Sequence, residues 1–419
     1  MNVLLKNAQI LDINSKYHKK KTNIHIVDGI IKSIGNTNGD KNSQIIESKN
    51  LNVSPGWLDI GTRLTDPGKE NLDTIFSLSA SAIKGGFTGL AVFPNTVPVM
   101  DNKSVIESIL HKTKNTIVDF HPIGSITVGA EGKEISEMID MHKHGAVAFS
   151  DGKNPLKHSG VISRALRYTS NLNATVINHP EDMDISESGI INEGKMSVFL
   201  GMKGRPVLAE TMMLYRDLKL AEYNNSSLIA HMISSSESVK MIKTAKSKKH
   251  DIYSTVSFHN LVEDESVLKD FNSFHKVLPP LRTKADVNAL IRGINNDAID
   301  AIVSNHYQLD IEDKRKAFYD AKYGAISLEY MFGILNSRLN SKLKLEKIIE
   351  KISTGPRKIL GLENVTIEQG QRANMTIFDP DIEWTLTESD IKSKSSNTPY
   401  LGYKLKGKVL GIINKGKFN

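Results

Sequence analysis

The sequence predicts an α/β fold: a closed barrel of eight parallel strands, each followed by helical chain, with a small β-sandwich domain built from both chain ends. Three observations predict it. Short apolar runs alternate with longer segments of helical composition, about eight such runs can be counted, and the first and last fifty residues instead carry strand and hairpin signals.

At the start, Ile24-His25-Ile26-Val27, then Asp28-Gly29, then Ile30-Ile31 reads as a hairpin around a two-residue turn. The candidate barrel strands are Trp57 to Gly61, Leu90 to Asn95, Asp119 to Ile126, Ala146 to Ser150, Thr175 to His179, Leu228 to Met232, Ile252 to His259 and Ala301 to His306. Near the end, Ala373 to Phe378 reads as a strand stopped by Asp379-Pro380, and Lys408 to Ile413 as a second strand running into Asn414-Lys415-Gly416. Residues 1–53 and 365–419 are therefore assigned to a composite β domain and 54–364 to the barrel. Gly85-Gly86-Phe87-Thr88 reads as a tight helix-to-strand connection, because neither nucleotide-loop spacing accompanies it.

A chain of 419 residues with 39% hydrophobic content buries a sizeable core without staples. No apolar run approaches the ~20 residues of a membrane span. The start, Met1-Asn2-Val3-Leu4-Leu5-Lys6, turns polar too soon for a secretion signal, so the cytoplasm is the expected address. With no cysteine, disulfides, thiolate metal sites and cysteine nucleophiles are excluded, leaving His, Asp and Glu as metal ligands. The formal charge of +7 includes the runs Lys19-Lys20-Lys21 and Lys246-Ser247-Lys248-Lys249. Signs are otherwise mixed and no aromatic residues interleave the basic ones, so these runs read as solvated surface and no nucleic-acid partner is expected.

In a barrel of this kind the reactive groups sit at the C-terminal strand ends. Asp151, His179 and His231 fall at the ends of three different candidate strands, and two imidazoles with a carboxylate suit Zn²⁺.

The segments around those residues, Phe149-Ser150-Asp151-Gly152 and His179-Pro180-Glu181-Asp182, are similar to the metal-ligand segments of dihydroorotases, members of the amidohydrolase superfamily. The series extends over nearly the whole chain. It includes Ser54-Pro55-Gly56-Trp57-Leu58-Asp59, Asp66-Pro67-Gly68, Gly85-Gly86-Phe87-Thr88 and Phe93-Pro94-Asn95-Thr96-Val97-Pro98-Val99. It continues with Arg216-Asp217-Leu218-Lys219-Leu220-Ala221, Pro279-Pro280-Leu281-Arg282-Thr283 and Ser393 to Tyr400. The resemblance implies a TIM-like metal-hydrolase barrel that opens a cyclic amide in pyrimidine biosynthesis.

It also marks departures. Active members end the first strand in His-x-His with an Arg two residues on. Here Gly61 and Arg63 stand at the His positions and Thr65 at that Arg. Asn305 stands at the catalytic Asp, and an amide has no titratable proton to exchange, a function that typically contributes ~10²–10⁴-fold. Gln308 and Leu278 replace a substrate-binding His and Asn, whereas Asn95 matches another substrate-binding Asn. What remains for a metal is Asp151, His179 and His231, so the expectation is no cofactor and at most one Zn²⁺. Arg63 either replaces the metal's positive charge and pairs with Asp151, or simply points to solvent.

These substitutions favour a non-catalytic homologue, a pseudoenzyme acting as scaffold. The resemblance implies a homodimer and, as for inactive homologues, aspartate carbamoyltransferase as partner. Two other readings stay open: an active single-metal dihydroorotase or other cyclic amidohydrolase, and a carboxylate-binding sensor.

Overall fold

The computed structural model describes residues 1–172 and 174–419. The N-terminal end supplies β1 (Asn2–Ile10), β2 (Lys21–Val27), β3 (Ile30–Gly35), β4 (Gln44–Ile46) and β5 (Asn52–Pro55). Then come β6 (Trp57–Thr62), β7 (Phe87–Val92), β8 (Asp119–Gly124), β9 (Ala148–Phe149), β10 (Thr175–Asn178), the short pair β11 (Ile191–Asn192) and β12 (Gly204–Arg205), β13 (Leu228–Ala230), β14 (Ile252–Ser257) and β15 (Ala301–Val303). The C-terminal end adds β16 (Met375–Thr385), β17 (Lys404–Asn414) and β18 (Lys417–Phe418).

Eight parallel strands run in the order β15-β14-β13-β10-β9-β8-β7-β6, so the α/β barrel class read from the sequence is borne out. Its interior is filled by alternate residues of successive strands, among them Leu58, Ile60, Ala91, Ile123, Ile177, Ile229 and Val303. A second, larger apolar layer, with Trp57, Phe87, Val176 and Leu228, packs the opposite faces against the helices. Between the first and last strands the seam is bridged by a side chain. Buried Asp59 accepts from the Ser304 amide at 2.7 Å and the Ser304 hydroxyl at 2.6 Å, and Thr62 adds a third donor.

The connection into β7 shows why the chain turns where it does. Thr74 caps the helix Ile75–Gly85 by accepting from the Ser77 amide, and Gly86 ends it at φ +88°, where a Cβ would lie 2.8 Å from the Trp57 ring. Only glycine fits both demands.

The chain ends meet in one continuous sheet of order β18-β17-β16-β5-β1-β2-β3, with β4 on β1, separate from the barrel sheet and with an apolar core of its own. It is made continuous by β5, which pairs parallel with β1 and antiparallel with β16. The expected hairpin is present, its Asp28 and Gly29 both at positive φ. Asn414 ties this sheet to the barrel, donating to the Ile117 carbonyl and the Asp119 carboxylate, each at 2.8 Å. Contrary to expectation, β16 does not stop at Asp379-Pro380. It runs on through a register shift between Asp379 and Glu383, which accommodates the proline. Among the described residues no helix is long and apolar enough to cross a membrane.

Candidate functional site

Gly61, Arg63, Asn95, Asp151, His179, His231 and Asn305 lie at or just past the C-terminal ends of barrel strands, with Asp151 lining a separate pocket beside Ala130, Asn154 and His158. Gly61, next to last in β6, has φ +85°, and a Cβ there would lie 2.8 Å from His231 Nε2 and 2.8 Å from the Phe93 ring. The His231 imidazole, edge-on to Phe93, thus fills the room a side chain at 61 would need. Gly61→Ala is expected to lower stability by about 1–3 kcal/mol, from left-handed strain plus overpacking. An unchanged thermal midpoint would show that the mouth opens freely around residue 61.

Each retained ligand candidate is engaged elsewhere. Asp151 accepts from the backbone amides of Ile126 at 2.8 Å and Thr127 at 3.0 Å and from the Thr127 hydroxyl at 2.5 Å, while burial raises its pKa. It pins the loop after β8. His179 Nδ1 lies 3.1 Å from the His231 carbonyl, which can only accept, so Nδ1 carries the proton and Nε2 faces Glu181 at 3.6 Å. Burial alone would raise the Glu181 carboxyl, but the His179 hydrogen bond and charge, with Arg205, bring it to about 2. His231 Nδ1 lies 3.0 Å from the Thr255 hydroxyl, and burial, then the charges of His179 and Lys153, hold His231 well below its usual value. Its imidazole is neutral.

The substrate-binding candidates are likewise tied into the fold. Asn95 donates to the Asp151 carbonyl at 3.2 Å, and Gly152 leaves room for its amide. Thr65 donates to the Asp73 carbonyl at 2.8 Å, and Gln308 donates to the Arg63 carbonyl at 3.2 Å. The Leu278 carbonyl accepts from Asn305 at 2.8 Å.

Sequence reasoning missed Lys153. Its stem is partly accessible, but its ammonium reaches down to donate to Asn305 Oδ1 at 2.8 Å and sits 4.3 Å from the centroid of the Tyr307 ring. Burial, then the Arg63 charge, push it down to about 7. Arg63 lies over the same ring, 4.2 Å from its centroid, and donates to the Gln308 carbonyl at 2.5 Å. The expected Arg63–Asp151 pair does not form, because Asp151 already has its donors and Arg63 spends its own on Gln308 and Tyr307. In sequence, Lys153 looks like any loop lysine. Its position two residues past the Asp151 strand end was the available signal.

The mouth opens into a cavity of about 530 Å³ whose lining includes Lys153, Arg205, Lys276, Tyr307, Tyr319 and Tyr323, and no carboxylate. As arranged, the donors do not fit a divalent cation. Among the described residues no group of three or more His, Asp or Glu is gathered to hold one. The Arg63 guanidinium, which stays protonated, would also repel it.

A family profile described as Dihydro-orotase-like matches residues 51–238. The dihydroorotase of Ruminiclostridium cellulolyticum is 36% identical over 411 residues, 97% of this chain and 96% of that one. That of Acetivibrio thermocellus is 37% identical over 422 residues, covering 99% and 98%. Among solved structures, the L-hydantoinase (dihydropyrimidinase) of Arthrobacter aurescens superposes with a TM-score of 0.85 over 100% of this chain and 95% of that one, at 23% identity, which shows the shared fold.

These relatives overturn the reading of a non-catalytic scaffold. The chains it matches end to end carry the enzyme's name, so the changes at Gly61, Arg63 and Asn305 are variations inside that family. The physical error was to equate the loss of metal ligands and of the acid-base Asp with the loss of activity.

Proposed function

This chain belongs to the dihydroorotase family, and from that premise we propose that it opens and closes the cyclic amide of dihydroorotate, with Arg63 and Lys153 supplying positive charge at the barrel mouth. The observation that carries the reading is the reach of the identity, across the barrel and the composite sheet alike. In the reaction, water adds to the ring carbonyl carbon, the C–N bond breaks, the ring nitrogen takes up a proton, and the carbonyl becomes a second carboxylate. The oxyanion formed on the way needs preorganised positive charge in a site shielded from water. Arg63 and Lys153, held against Tyr307 and Asn305, provide it without a divalent cation.

The test is a dihydroorotase assay in both directions on protein freed of metal by a chelator, repeated with added Zn²⁺. Turnover above the blank in the chelated protein is the expected result. No turnover under either condition would overturn the activity, and turnover only with Zn²⁺ would overturn the role given to the two cations.

A further inference from the structure

The mouth holds the Arg63 guanidinium and, below about pH 7, the Lys153 ammonium, and no carboxylate answers either. The Lys153 ammonium bonds to a neutral amide and the Arg63 guanidinium to a backbone carbonyl. The acids nearby are committed, Glu181 to Arg205 and His179, and Asp151 to the amides of residues 126 and 127. Farther out, the cavity adds Lys276, which donates to the Phe318 and Tyr319 carbonyls, while its Arg205 and Lys322 are paired with Glu181 and Asp313. Withdrawing an ammonium from water without a counter-charge is costly, so a mouth built this way has an anion as its complement. Both cations lie over one ring, at 4.2 and 4.3 Å from its centroid, so they are no farther apart than the sum of those distances. Two carboxylates on one short chain can each reach a cation within that bound.

We propose that Arg63 and Lys153 bind the two carboxylates of the ring-opened product, so that the site prefers an open-chain dicarboxylate to the cyclic monocarboxylate and does so without a divalent cation. The inference rests on the dihydroorotase reading, in which the ring carbonyl becomes the second carboxylate. The cyclic form presents one charge to two cations, whereas the open form presents two.

The experiment is calorimetric titration of the full chain, in chelator, with N-carbamoyl-L-aspartate and with L-dihydroorotate. The open-chain acid is expected to bind at least about tenfold more tightly. Lys153→Met and Arg63→Met should each abolish that preference, and Lys153→Arg should keep it, which separates lost charge from lost folding. Equal affinity for the two acids, an undiminished preference in Lys153→Met, or binding that requires added Zn²⁺ would overturn the proposal. Binding without turnover would remove the activity and leave this inference standing. Turnover without the preference would do the reverse.

Discussion

Acidification from pH 6.5 to pH 4 is expected to unfold the protein. His121, His275 and His306 are each held down to about 4, burial being the largest cause in every case, with the Lys314 charge adding at His275 and Asp119 and Asp73 opposing at His121 and His306. A histidine whose folded pKa lies below its unfolded value of about 6.5 leaves stability intact above that value. The stability is lost as the pH falls toward the folded value, because the unfolded chain takes the proton first. Each contributes on the order of 3 kcal/mol across this window, less for the half-buried His121, and a whole domain is stable by only about 5–15 kcal/mol. His231 and His259, held lower still by burial first, add in the same direction. Buried carboxyls with raised values, such as Asp59, Asp151 and Asp300, act oppositely, gaining protons on folding as the pH falls toward 4. The histidines outweigh them because their window opens first. Far-ultraviolet dichroism followed against pH is the measurement, and a native signal still intact at pH 4 would refute the account.

Asp59→Ala is expected to cost about 3–5 kcal/mol. The carboxylate joins the first and last barrel strands through Ser304, and its removal leaves the Ser304 amide, the Ser304 hydroxyl and the Thr62 hydroxyl without their acceptor in a dry seam. Asp59→Asn should cost less, since one oxygen still accepts and the hydroxyls can turn to receive its amide protons. Urea unfolding of the two variants measures the difference. Equal midpoints for Asp59→Ala and the parent would place the closure of the barrel in packing alone.

The eight barrel strands were legible because each is an apolar run bounded by polar or glycine-containing chain, and the Gly86 stop because it couples a helix end to a strand start. The two-residue strands β11 and β12 were not, since so short a pairing leaves no periodicity. The continuation of β16 was hidden behind Pro380, which reads as a breaker until the bulge that absorbs it is seen. In the site, strand-end positions could be read from the sequence, but side-chain commitments could not. The amides of Ile126 and Thr127 that occupy Asp151 belong to every sequence equally, and only the fold aims them. The return of Lys153 into the mouth is a tertiary fact of the same sort.

The bridging role of β5 bears on the order of synthesis. Its partner β16 begins at Met375, so the strands made first wait for nearly the whole chain before their sheet is complete. Until then the β5 edge is an open template for foreign strands, and the nascent protein is at its most vulnerable to aggregation while its barrel is still emerging from the ribosome. Ribosome-bound chains halted before β16 would need chaperone cover that the finished molecule does not.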